Sequence, residues 1–177
     1  MRFDRSAGVT QYFADVNEIL ARGRVAFEMK HDLSIQRIGP TELREALSGL
    51  RPNSGDRELD KLIEDGRRLV ASRRTAERLT GIQSLWSALE RLKTIDVPGQ
   101  NNKRVSAEAL LSYIRSEPVR NVVREDLNAV TKLGNQFRVR HHETHIAELP
   151  VDAFDYFIGR VVTVLQVLLD QSGRLGK

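Results

Sequence analysis

After Pro150 the chain sets Phe154, Phe157, Ile158, Val161, Val162, Val164, Leu165, Val167, Leu168 and Leu169 along one predicted helix. An apolar face that wide cannot be covered by a single neighbour, so this helix must be central to a bundle or shared with a second copy of the chain. Helical spacing of apolar residues recurs upstream. Tyr12, Phe13, Val16, Ile19 and Leu20 predict a helix from Thr10 to about Arg22, stopped by Gly23. Thr41 is placed to cap a brief helix through Leu47. Leu59, Leu62, Ile63, Leu69 and Val70 stripe a long helix, and Ala76, Leu79, Ile82, Leu85, Trp86, Leu89 and Leu92 stripe another from about Thr75 to Lys93. Inside that Leu/Ile stripe Trp86 reads as a core anchor, the alternative being a flat ring that stacks a base. Ser106 is expected to cap a helix reaching about Arg115. Pro118 suits the first turn of the next, whose buried side carries Val119, Val122, Val123, Leu127, Val130 and Leu133 through about Arg138. Asp152 is the expected cap of the final helix.

One stretch changes period. Val25, Phe27 and Met29 alternate with Ala26, Glu28 and Lys30, and His31-Asp32 precede Leu33 and Ile35, which predicts a short β-hairpin with a less regular turn than Asn-Gly would give. The fold class is therefore mainly α: a helical bundle with a small N-terminal β-hairpin. A length of 177 residues suits one compact domain. Turn formers from Gly49 to Asp56 mark the clearest linker, separating residues 1–50 (helix and hairpin) from residues 51–177 (the bundle) unless the two share one core.

Several functions lose their basis. The sequence has no Gly-x-x-x-x-Gly-Lys-Ser/Thr loop, no Gly-x-Gly-x-x-Gly and no Gly-x-Ser-x-Gly, the backbone devices of nucleotide hydrolases, dinucleotide enzymes and serine hydrolases. Zero cysteines remove disulfides, thiolate metal sites and cysteine nucleophiles. No run is long and apolar enough to span a membrane, and Met1-Arg2-Phe3-Asp4-Arg5 lacks the core of an export signal, so a cytoplasmic location is expected. A net charge of +4 permits a polyanionic partner without implying one. Arg67, Arg68, Arg73, Arg74 and Arg78 form one basic cluster, read as a solvated helix face.

The second basic cluster carries the chemistry. Three of the four histidines lie within Arg138-Val139-Arg140-His141-His142-Glu143-Thr144-His145. Arginine's planar fork binds phosphate at two points, and histidine both takes and gives a proton near neutral pH. Together they provide what RNA cleavage needs: a cation on the scissile phosphate, a base for the 2′-hydroxyl and an acid for the leaving oxygen. On an unbroken helix His142 and His145 would each lie within about 40° of Arg138, whereas Arg140 and His145 would stand about 140° apart and converge only if the helix ended between them. The polar run argues for such an end. The competing reading has the arginines capping helix carbonyls and the histidines hydrogen-bonding in a loop. His142-Glu143-Thr144-His145 is one residue short of the zinc-protease pattern. His141 and His145 have the i, i+4 spacing of a metal pair, but no third ligand is obvious and no metal is assigned.

The stretch Leu133-Gly134-Asn135-Gln136-Phe137-Arg138-Val139-Arg140-His141-His142-Glu143 resembles the C-terminal segment of abortive-infection proteins, a branch of the HEPN superfamily of prokaryotic defence and toxin domains. Leu85-Trp86-Ser87-Ala88-Leu89-Glu90-Arg91-Leu92-Lys93-Thr94 is similar to the same group. The resemblance implies a helical bundle, a homodimer with its site at the seam, and a metal-independent endoribonuclease without cofactor. It implies RNA as substrate, with an antitoxin or other defence-system protein as a further partner. The family motif is an arginine, four to six residues, then a histidine; both Arg140 and Arg138 reach His145 within that spacing. A polar residue commonly follows the motif arginine, which favours Arg140. In this assignment Arg140, with Arg138 beside it, holds the phosphate, and His145 is general base or acid. His141 or His142 supplies the opposite role, while Asn135 and Glu143 orient them. The sequence departs from the family at Gly134-Asn135, where Arg-Asn is frequent; were the family arginine to belong at Gly134, its histidine would be His141 and the pair would be broken. Arg120-Asn121 offers an Arg-Asn pair, but no histidine follows it within six residues. The alternative function is a noncatalytic module for dimerisation or RNA binding.

Overall fold

The computed structural model describes residues 5–22, 27–37, 40–97, 103–137, 139 and 147–176. They form helices α1 (Arg5–Arg22), α2 (Thr41–Gly49), α3 (Arg57–Val70), α4 (Thr75–Leu92), α5 (Lys103–Ser112), α6 (Glu117–Gln136) and α7 (Phe154–Gln171), with strands β1 (Phe27–Met29) and β2 (Ile35–Arg37) after α1. Among these residues no helix is long and apolar enough to cross a membrane.

The wide face of α7 is explained by position. Phe154, Phe157, Ile158, Val161, Val162, Leu165, Leu168 and Leu169 are all buried, and α2, α4 and α6 each pack against the helix. Of the two ways to cover such a face, the fold uses the first: α7 is the central rod.

The closest helix pair is α3 with α4, and two glycines permit the approach. A Cβ on Gly66 would stand 2.7 Å from the Leu85 side chain, and one on Gly81 only 2.6 Å from the backbone nitrogen of Val70. Asp56 fixes the start of α3. Its carboxylate accepts from the amides of Glu58 (3.1 Å) and Leu59 (2.9 Å), and Arg91 of α4 grips both its oxygens at 2.9 Å. These bonds, above all the one from Arg91, hold the Asp56 carboxyl below its ordinary pKa.

Residues Leu50 to Asn53, read as linker, form a strap across the bundle's end. Leu50 is fully buried, Pro52 bridges Leu175, and the Asn53 amide donates to the Arg174 carbonyl at 2.9 Å.

Three predicted caps are placed differently. Thr41 is the first residue inside α2, with Pro40 at the cap position and no side-chain cap bond. Ser106 lies within α5 and is fully buried, its hydroxyl accepting from the Val97 amide at 3.1 Å. Asp152 falls in a short 3₁₀ turn, Val151–Ala153, ahead of α7 and does not cap it. In each case the polar residue stands within about one turn of the observed helix start without capping it.

The N-terminal elements are held by polar contacts. β1 and β2 pair antiparallel in the register Phe27↔Arg37, Glu28↔Gln36, Met29↔Ile35. Leu33 adopts a left-handed φ of 65° in the turn, where Asp32 accepts from both the amide and the hydroxyl of Ser34. From α1, the Asn17 side-chain amide pairs with both backbone groups of Met29, at 2.6 and 3.1 Å, as an added strand would. Phe13 packs edge-on against His31 at 4.9 Å between ring centres.

Candidate functional site

Of the residues assigned to RNA cleavage, Arg138, Arg140, His141, His142, Glu143 and His145 lie outside the described residues; Asn135 is exposed on the last turn of α6. The segment's two ends are defined. α6 stops at Gln136, and Phe137 is extended with φ −111° and ψ 151°, its amide closing the helix onto the Leu133 carbonyl at 3.1 Å. Val139 is buried, with its amide 2.6 Å from the Phe137 carbonyl. On the return, Ala147 forms a parallel bridge with Phe137, and Leu149 re-enters the core. The described residues that flank the basic and histidine-rich run, Phe137 and Ala147, therefore stand beside one another.

This geometry removes the face shared by Arg138, His142 and His145. That face requires α6 to run unbroken through the segment, and α6 ends before Arg138. α6 ends at Gln136, short of the predicted Arg138, and whether a helix breaks between Arg140 and His145 lies outside the described residues.

Gly134, one turn before the segment, has a steric purpose. A Cβ there would lie 2.3 Å from the Trp86 ring, far inside van der Waals contact, so glycine lets α6 rest against the indole. An arginine at 134 has no room in this packing. Trp86 is 1% exposed and 6.2 Å from the Phe157 ring. It is a core residue and cannot stack a base without leaving the core. Its indole N–H is buried without an acceptor, a desolvation cost of about 1–3 kcal/mol.

The basic cluster of α3 and α4 is dispersed. Arg68 and Arg74 make short-range pairs with Asp65 and Glu77 at the surface, whereas Arg67 turns to α2 and donates to the Leu47 carbonyl at 2.7 Å. Arg78 is only 5% exposed; it pairs with Asp155 of α7 at 2.6 Å and lies over the Phe154 ring at 5.3 Å. Sequence reasoning grouped Arg78 with the solvated arginines. The available signal was its register, since 78, 82, 85 and 89 fall on one helical face with Ile82, Leu85 and Leu89. Among the described residues no group of three or more His, Asp or Glu is arranged to hold a metal ion. Comparison of the chain with protein families, curated proteins and solved structures finds no match.

Proposed function

We propose that the chain is a HEPN-like bundle that cleaves RNA without a metal ion, acting as a toxin or in phage defence. The observation that carries this reading is the bridge between Phe137 and Ala147, the described residues on either side of the histidine- and arginine-rich run. A short, tethered segment limits how far its side chains can separate, which is the condition for a guanidinium and an imidazole to act on one phosphate. Arg140, with Arg138 beside it, holds the phosphate. His145 removes the proton of the 2′-hydroxyl as its oxygen attacks phosphorus, and His141 or His142 protonates the departing 5′-oxygen, or the two histidines exchange roles. The products are a 2′,3′-cyclic phosphate and a free 5′-hydroxyl.

Purified protein incubated with RNA should give such products equally with and without a chelator. Replacing Arg140 and His145 together by Ala should abolish cleavage, and growth toxicity on expression, while leaving the helical circular dichroism intact. A double variant that still cuts or still arrests growth overturns the assignment.

A second reading, a noncatalytic module that pairs with another copy and docks RNA, draws on the exposed apolar residues Val119 and Val122 of α6. It expects RNA binding that weakens steeply with salt and leaves the RNA whole.

A further inference from the structure

Between α2, the end of α3, β1 and the start of α7 lies a groove of about 710 Å³, within the size range of small-molecule sites. Leu47, Val70 and Ile158 give it aliphatic surface, and the cations Lys30, Arg44, Arg67 and Arg68 line it together with the acids Glu45, Glu64 and Asp155. These cations differ in what already engages them. Arg67 is fully occupied, with its Nε on the Leu47 carbonyl and a terminal nitrogen on Glu64 at 3.0 Å. Arg68 pairs with Asp65 at 3.0 Å. Lys30 and Arg44 share one carboxylate, Glu28, and the sharing is unequal: Lys30 is 2.6 Å from it and Arg44 3.5 Å, the outer limit of a hydrogen bond. Arg44 thus brings its terminal guanidinium nitrogens to the groove with no partner among the described residues closer than 3.5 Å, while its Nε is buried without an acceptor.

We infer that this groove binds a small organic carboxylate, its carboxylate held by Arg44 and Lys30 and its apolar body laid on Leu47, Val70 and Ile158. Guanidinium and carboxylate match as a two-point pair. A phosphate dianion has no apolar body to lay on the aliphatic side chains and is repelled more strongly than a monoanion by Glu45, which also lines the groove. An uncharged apolar molecule would leave Arg44 as it stands. The inference is independent of RNA cleavage, since none of these residues belongs to the run from 138 to 145.

Octanoate, kept below its micelle concentration, is the probe, with octan-1-ol and inorganic phosphate beside it, in calorimetric and thermal-shift titrations of the full chain. Octanoate alone should bind and raise the melting temperature. Arg44→Ala should weaken it about tenfold or more, Arg44→Lys less, and Glu45→Gln should tighten it. Equal binding of octanol, or of phosphate, or unchanged octanoate affinity in both Arg44 variants, overturns the site. So does a tightly folded Glu45→Gln protein that binds octanoate no better than the parent, a readout that does not depend on any loss of stability.

Discussion

The α1 helix and the α3–α4 pair have similar sequence patterns and opposite environments. Both show apolar residues at helical spacing. In α3 and α4 that spacing meets a partner cut to fit it, with Gly66 and Gly81 bringing the backbones together and Leu59, Ile63, Leu85 and Leu89 buried. Among the described side chains of α1 only Phe13 is buried; Tyr12 is 53% exposed and Ile19 68%. Its hold on the rest runs through the Asn17 amide and one aromatic edge. Periodicity therefore announces a helix, whereas the close-approach residues opposite announce whether anything will cover it.

Substitutions that act on one region and spare the other sharpen this contrast. The largest effect is expected from Gly134→Ala, which drives a methyl group into the Trp86 ring and should cost about 2–3 kcal/mol, read as a lowered denaturation midpoint with unchanged slope. An Ala there with parental stability would mean that α6 does not rest on the indole. Asp56→Asn keeps a capping side chain but loses the charge pair with Arg91, for about 1 kcal/mol near neutral pH. Because the folded carboxyl titrates below its ordinary value, its contribution is complete above about pH 5 and fades as pH falls through 4 and lower. The variant should therefore lose less stability than the parent on acidification, and parallel pH–stability curves would refute the pairing. Smallest are the changes in α1. Asn17→Ala should speed hydrogen exchange at Met29 while the global midpoint moves by less than about 0.5 kcal/mol, and Ile19→Ser should move neither. A large global loss from either would place α1 in the cooperative core.

The sequence was most legible where one periodic stripe met one environment. Residues on α4 and α7 declare their buried faces, and the breadth of the α7 stripe asks for more than one neighbour, which α2, α4 and α6 supply. Caps were less legible, because a serine before an apolar stripe looks alike whether it begins the helix or, like Ser106, turns inward to satisfy the Val97 amide across the fold. Arg78 was misread for a similar reason: its partner, Asp155, is far along the chain, and only packing brings the two together. At the candidate site, residue types spoke for the chemistry, but spacing converts to angle only along a continuous helix. With α6 ending at Gln136, the count from Arg138 or Arg140 to His145 fixes reach and not direction. The glycine at 134, met in the sequence as a departure from a motif, is explained by an indole contributed from another helix.

Trp86 is the chain's single tryptophan, so its ultraviolet emission comes from one address. The indole is sealed from water and pressed against the turn of α6 that leads into Arg138–His145. Its spectrum should be blue-shifted in the folded protein, and any event that lifts or twists that turn should redden or quench it. The molecule carries its own dye beside the turn that precedes its candidate site, and a disturbance of that turn can be followed with no label attached.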